Sequence, residues 1–283
     1  MTSKISVVIN TLNEQDNLAD CIASVQGFAD EIVVCDMYSE DGTVEIARQH
    51  GANVVFHERT GFVEPARKFA ISQATGEYIL VLDADERMTS VLAGRLKEIV
   101  AQGRADVVAF GNLFNYFGAP VWYGGFYWLE WRRFFRKQVY LETYTEDEAL
   151  VHHNFAALTA SQNIIHLPGE YHLNHLAYPT IEKFVAKTVG KYARMEGEQQ
   201  YALGRRFSLW KLCSEPPKEF LRKFVWQGGF KDGVRGLILA GLYAAYRFSF
   251  WANLWFAGEK ERLGITQGHE HDAFIRAASA PRR

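Results

Sequence analysis

Cysteine is scarce in this sequence: Cys21, Cys35 and Cys213 are the only three among 283 residues. Three thiols cannot build a disulfide framework, and neither CxxC nor a Cys/His zinc spacing occurs. Cys35 follows the apolar run Ile32-Val33-Val34, so it reads as a buried, reduced thiol of a cytosolic protein. Long apolar runs are missing too. The first, Ile5 to Ile9, ends at Asn10, short of the roughly 7–15 apolar residues of a signal peptide. No stretch reaches about 18 uncharged apolar residues, so no transmembrane helix is expected. Two familiar phosphate loops are absent. No GxxxxGKS/T occurs and no GxGxxG follows the first strand, which argues against nucleotide hydrolysis and dinucleotide redox chemistry. The loop Asn10-Thr11-Leu12-Asn13-Glu14 also lacks the glycines normal in a sugar nucleotidyltransferase.

What is present is an ordinary globular composition, 48% hydrophobic and 23% charged, enough to bury a core without disulfides or metals. The net charge of −2 conceals an asymmetry. Residues 1–105 carry 9 basic and 16 acidic residues, whereas residues 201–262 carry 11 basic and 5 acidic ones. Of the 40 aromatic residues, 6 fall in residues 1–105, and all seven Trp lie beyond position 121. An acidic front therefore precedes a basic, aromatic back. No nucleic-acid partner is expected.

The front alternates strand and helix. Strands are predicted at Lys4–Asn10, Glu31–Asp36, Asn53–Phe56, Glu77–Asp83 and Asp106–Asn112. Helices are predicted from Asn13 to Gln26, Gly42 to His50, Pro65 to Ala74 and Thr89 to Ala101. Short apolar strands alternating with amphipathic helices give an α/β fold, a mostly parallel sheet with helices on both faces. Ligands bind beyond the carboxyl ends of such strands. That rule selects the loops Thr11–Glu14, Asp36–Asp41 and Asp83–Glu86.

In the third loop, Tyr78-Ile79-Leu80-Val81-Leu82 runs straight into Asp83-Ala84-Asp85-Glu86. Two carboxylates two positions apart at a strand end can share one hard divalent cation, because without a cation such a cluster repels itself. The cation would neutralise a diphosphate. Asp41 reads as a helix cap.

Three segments taken together, Ile5 to Glu14, Val34 to Thr43, and Ala74 to Tyr78 leading into Asp83-Ala84-Asp85-Glu86, resemble glycosyltransferase family 2. The lipopolysaccharide core-biosynthesis branch is the most similar. The resemblance is strong over residues 4–136 and looser at His175-Leu176-Ala177-Tyr178 and Gly229–Tyr246. It implies a GT-A nucleotide-diphospho-sugar fold in residues 1–178, with a nucleotide-binding half (1–112) and an acceptor half (113–178). Residues 179–283 would form a helical, aromatic-rich extension. The resemblance further implies that Thr11, Asn13 and Glu14 line the nucleoside pocket and that Asp36 accepts from uracil. Arg67 would face the base or a phosphate, and Ala84 would lie against the sugar nucleotide. Asp83 would touch ribose or metal, Asp85 would ligate Mn2+ or Mg2+, and His175 is the candidate third ligand.

The family usually has Pro at Asn10, Ser-Gly at Met37-Tyr38 and often Asn at Lys68. Two carboxylates of the branch are also missing: Pro-Asp is replaced by Trp128-Leu129, and Val-His-Glu by Val151-His152-His153. Inverting transfer needs a base, which contributes roughly 10²–10⁴ in rate. Asp147 is the first candidate and Glu130 the second. Arg132, Arg133 and Arg136 either offset diphosphate charge or cover a strand edge.

The implied activity is transfer of a hexose, glucose from UDP-glucose, to a cell-surface glycan or lipid-linked acceptor. The rivals are transfer to a polyprenyl phosphate and a catalytically silent sugar-nucleotide-binding protein. From Phe220 to Phe256 two helices are predicted, broken near Gly228-Gly229. Their Trp- and Phe-rich faces beside basic residues suit an anionic membrane surface on the cytoplasmic side. Packing on the catalytic domain, or a homodimer, is the alternative.

Overall fold

The computed structural model describes residues 3–59, 64–103, 105–126, 130–143, 158 and 163–265. Two units divide the chain: Met1–Asn115 with Phe126–Ala177, and Tyr116–Gly125 with Tyr178–Arg283.

The first unit opens with the predicted alternation: β1 (Ile5–Thr11), α1 (Leu18–Val25), β2 (Glu31–Asp36), α2 (Thr43–Gln49), β3 (Asn53–Phe56), α3 (Glu64–Gln73) and β4 (Tyr78–Asp83). β5 (Glu86–Met88), α4 (Ser90–Gln102) and β6 (Val107–Tyr116) follow. After β7 (Ala119–Pro120) come β8 (Glu130–Arg136), α5 (Lys137–Thr143), β9 (Ile164–His166) and β10 (His172–Tyr178). The main sheet path runs β3-β2-β1-β4-β8-β6-β10-β5.

β3, β2, β1 and β4 are parallel, with Asn10 opposite Cys35 on one side and Asp83 on the other. Beyond β4 the sheet is mixed, since β8 runs antiparallel to both β4 and β6, and β10 antiparallel to β5. The expected fold class holds, and the parallel strands β1 to β4 all lie within residues 1–112. Every residue of β1 is buried because helices cover both faces. Val7 and Ile9 pack with Leu18, Ile22 and Val25 of α1. Val8 points the other way, toward Ala66, Ala70 and Ile71 of α3.

Gly76, in the turn before β4, is required for contact rather than flexibility. A Cβ there would lie 2.5 Å from Ser6 Oγ and 2.9 Å from the Lys4 carbonyl. The Gly76 amide instead donates to Ser6 Oγ at 2.8 Å, tying the start of β4 to β1.

The second unit is mainly helical. α6 (Ile181–Phe184) continues through a π-helical stretch, Val185–Tyr192, into α7 (Ala193–Ala202). α8 (Leu209–Leu221) continues as the π-helical turn Arg222–Trp226, and α9 (Gly233–Leu263) closes the described chain. The predicted break between the two last helices falls at Gly228, whose φ of 72° is left-handed. α9 runs on past the expected end at Phe256. Phe250, Trp251 and Leu254 of α9 pack on Ala193. Trp251 Nε1 donates to Glu215 Oε2 at 2.7 Å, fixing α8 to α9.

Candidate active site

The parallel strands deliver three loops to one edge, and two of them interlock. After β1, the Asn13 amide donates to Ser39 Oγ at 2.8 Å, and Asn13 Oδ1 accepts from the Glu40 amide at 2.8 Å. The Glu14 amide donates to Thr43 Oγ1 at 2.8 Å. Asp41 accepts from the Thr43 amide at 3.0 Å and the Gln15 amide at 3.2 Å, so its expected capping role extends to the neighbouring loop.

Asp36 lies beneath this clasp and is wholly buried. Its Oδ2 accepts from Thr11 Oγ1 at 2.8 Å and Ser39 Oγ at 2.6 Å, and its Oδ1 from the Ser39 amide at 2.7 Å. The carboxylate expected to read a base thus holds the loop that follows it. Tyr38, at a position where Gly is usual in the resembling family, has φ of 58°. A left-handed backbone there explains a preference for Gly. Tyr38 compensates by stacking on Phe56, with centroids 5.5 Å apart, while Arg59 Nε donates to the Met37 carbonyl at 3.0 Å.

Asn10, another departure, is 7% exposed, and neither atom of its side-chain amide has a hydrogen-bond partner.

At the end of β4, Asp83 makes two arginine pairs. Its Oδ1 lies 3.0 Å from Arg67 NH2 and its Oδ2 3.0 Å from Arg133 NH2. Burial alone would raise the Asp83 carboxyl, but Arg133 and then Arg67 hold it well below the usual carboxylate range. Glu86 is wholly buried and also pairs with Arg133. Glu86 further accepts from Asn112 Nδ2 and from the Asp83 amide, each at 2.9 Å. Burial pushes the Glu86 carboxyl up, with Arg133 opposing. Ala84 is buried between these groups, and its carbonyl accepts from Arg87 NH1 at 2.9 Å.

Asp85 stands apart from the arginines. Its Oδ2 lies 3.3 Å from His175 Nε2, because β10 pairs with β5 and places His175 opposite Glu86. His175 Nδ1 is 3.5 Å from Glu86 Oε1. Burial would lower the His175 pKa, but its bond to Asp85 and the charges of Asp85, Glu86 and Asp83 raise it above the ordinary value. Phe114 packs on the ring, with centroids 4.9 Å apart.

The three expected metal ligands are therefore not gathered as a set. Among the described residues no cluster of three His, Cys, Asp or Glu groups is disposed to hold a metal. Asp83 has one guanidinium on each oxygen, which leaves Asp85 and His175 as a pair. Two cis ligands of an octahedral ion stand about 3 Å apart, so this pair fits a divalent cation that takes its other ligands from water and phosphate.

Sequence reasoning offers Arg133 only as a diphosphate-facing or edge-covering cation and misses its pairing with buried Glu86. The available signal is an arginine directly before Phe134-Phe135 in a strand, since a buried cation needs buried anions. Arg136, in contrast, pairs with Glu77 and Asp106 at the strand end. Of the two base candidates, Glu130 opens β8 and its Oε1 lies 2.6 Å from His166 Nδ1. Asp147, together with Trp128-Leu129 and Val151-His152-His153, lies outside the described residues.

Comparison with known proteins gives the following. The family model for glycosyl transferase family 2 matches residues 6–161. An uncharacterized glycosyltransferase of Rickettsia typhi is 28% identical over 263 residues, 89% of this chain and 86% of that protein. The lipopolysaccharide core biosynthesis glycosyltransferase LpsC of Rhizobium meliloti is 25% identical over 264 residues, 86% of this chain and 89% of that protein. Among solved structures, S. aureus TarS 1-349 aligns over 93% of both chains at 15% identity, with a TM-score of 0.47.

Proposed function

The chain belongs to glycosyltransferase family 2, and from that premise we propose an inverting, metal-dependent hexosyltransferase. The donor is UDP-glucose, and the acceptor is a lipopolysaccharide-core or related cell-surface glycan or glycolipid. The observation that carries the reading is the Asp83-Ala84-Asp85 turn at the end of β4, with His175 brought against Asp85. Similarity to LpsC over most of both chains supports the acceptor class.

Asp85 and His175 would hold Mn2+ or Mg2+, which when bound supplies Lewis-acid stabilisation of the departing diphosphate. Asp83 keeps Arg67 and Arg133 in place at the same strand end, so two fixed cations stand where negative charge develops. The clasp built from Asn13, Glu14, Ser39 and Thr43 shapes the nucleoside side, and Asp36 fixes that clasp. The acceptor hydroxyl proton goes to a carboxylate, Asp147 first and Glu130 second. In the structure Glu130 is already engaged by His166, which favours the first choice.

Residues 1–178 are assigned to donor binding and transfer. Residues 179–283 are assigned to acceptor delivery at the inner face of the cytoplasmic membrane. No helix among the described residues is long and apolar enough to cross a membrane. The helical unit does expose Trp210, Trp226, Phe230 and Val234 beside Lys211, Lys218 and Lys231, a composition suited to the surface of an anionic leaflet.

UDP release from UDP-glucose, with and without a lipopolysaccharide-core acceptor, tests the reading. Acceptor-stimulated release in Mn2+ is expected, and Asp147→Asn should lower turnover by at least ~10² while sparing UDP affinity. Binding of UDP-glucose without release would leave a sugar-nucleotide-binding protein in its place.

A further inference from the structure

Most buried polar side chains of the first unit find a partner. Ser6 Oγ accepts from the Gly76 amide, Thr11 Oγ1 donates to Asp36, and Asn112 Nδ2 donates to Glu86. Asn10 does not. It is more than nine-tenths buried, and neither Oδ1 nor Nδ2 has a hydrogen-bond partner. A carboxamide taken out of water with both ends unmade costs stability, so its presence in a central strand calls for a cause.

Its neighbours in register offer no relief. Cys35 stands opposite on β2, a wholly buried thiol in the apolar cluster that also holds Val8, and a thiol is a weak donor and a weak acceptor. Asp83 stands opposite on β4, with its two oxygens bonded to Arg67 and Arg133. Val8, two residues earlier, packs toward α3, so Asn10 turns its side chain to that same face. It does so at the carboxyl end of β1, the edge at which such sheets take their ligands. Thr11, next in the chain, donates to the Asp36 that holds the nucleoside-side clasp.

We propose that Asn10 reads the base of the nucleotide donor, Oδ1 accepting the ring N–H of a pyrimidine imide and Nδ2 donating to the carbonyl beside it. An imide edge presents one N–H flanked by two carbonyls, so it asks for an acceptor and a donor side by side. A carboxylate only accepts, and Asp36 can therefore meet the N–H alone. One carboxamide meets both groups. The amide is unpaired in the free protein and paired in the complex, which accounts for a buried polar group that the fold itself leaves unused. Proline, usual here in the family, has no side-chain donor or acceptor, so this recognition belongs to the present chain. The inference rests on the donor reading above and adds which side chain recognises the base.

Calorimetric titration of the full chain with UDP and with inorganic pyrophosphate, both in Mn2+, tests it on wild type and Asn10→Val. The variant should bind UDP about ten-fold or more weakly, because two hydrogen bonds to the base are lost. Its binding of pyrophosphate should be unchanged. UDP methylated at the imide nitrogen lacks the N–H, so it should bind wild type more weakly than UDP, and the methyl group should matter less in the variant. Should Asn10→Val not fold, Asn10→Ala is read in the same way. If wild type binds no UDP, the donor reading falls and this inference with it. If wild type binds UDP and Asn10→Val binds it equally well, this inference alone falls. It falls likewise if pyrophosphate binding drops along with UDP binding, or if methylation weakens both proteins alike.

Discussion

His175 Nε2 stands 3.3 Å from Asp85 Oδ2 although the two residues are 90 positions apart in the chain. Antiparallel pairing of β5 with β10 makes the contact: Glu86 lies opposite His175, and the Leu176 amide donates to the Asp85 carbonyl at 2.8 Å. The imidazole is thereby fixed in position by backbone as well as by its own side-chain partners.

Asp85→Ala should abolish divalent-dependent transfer, with a loss of roughly 100-fold or more, the scale of Lewis-acid stabilisation worth several kcal/mol. Asp85 is partly exposed, so the thermal midpoint of the metal-free protein should stay close to wild type. Acceptor-stimulated UDP release in Mn2+ and in excess chelator reads both effects. Full activity in the variant, or in chelator, would show that this pair does not serve a metal.

Arg133→Met should destabilise the fold by about 3–5 kcal/mol, because it leaves Asp83 and buried Glu86 without the cation between them. Replacing Glu86 by Gln in the same chain should recover part of the loss. Urea denaturation of the two variants and the wild type measures the coupling. Equal midpoints for Arg133→Met and wild type would remove the buried network from the account.

Asn10→Val should raise stability by about 1–3 kcal/mol, since it replaces a buried amide with two unsatisfied ends by an apolar group suited to a central strand. The register is unaffected, because β1 is paired on both sides at this position. A lower thermal midpoint would mean that the amide is satisfied in solution. A normal midpoint with weakened UDP affinity would place it on the donor.

Lys223 predicts a rise of stability with pH. Its folded pKa of about 8 lies below the ordinary lysine value of 10.5, so between these limits the unfolded chain binds the extra proton. Stability then increases as pH rises, by at most about 1.4 kcal/mol per unit. Below about pH 8 both states are protonated and the slope disappears. The difference between wild type and Lys223→Met, followed by denaturation from pH 7 to 10, isolates this slope from other groups. A flat difference would mean that the ammonium is compensated in the native state.

The parallel half of the sheet was legible because burial on both faces writes each strand as an unbroken apolar run. β2 and β3 lie where Glu31–Asp36 and Asn53–Phe56 predicted them. The Asp83-Ala84-Asp85 turn was legible for the same reason, as carboxylates ending such a run. β5 was not, since three residues carry no periodicity and its partner comes from distant sequence. The role of Arg133 was hidden likewise, because its anions, Asp83 and Glu86, belong to another part of the chain. Asp36 shows a different limit. A carboxylate at a strand end looks available to a ligand, and the sequence does not reveal that Thr11 and Ser39 also donate to its oxygens.

The pairing of β5 with β10 also sets an order of assembly. The chain emerges from synthesis N-terminal end first, and the parallel pairing of β1 to β4 can form before β10 exists. During that interval Asp85 has no imidazole beside it, and the strand that will carry His175 must still cross a long loop, at an entropic cost that grows with the logarithm of loop length. A nascent chain that has folded β1 to β4 is therefore still without the contact between Asp85 and His175. Were the pair to hold a cation, as proposed above, that site would be complete only once β10 is in place.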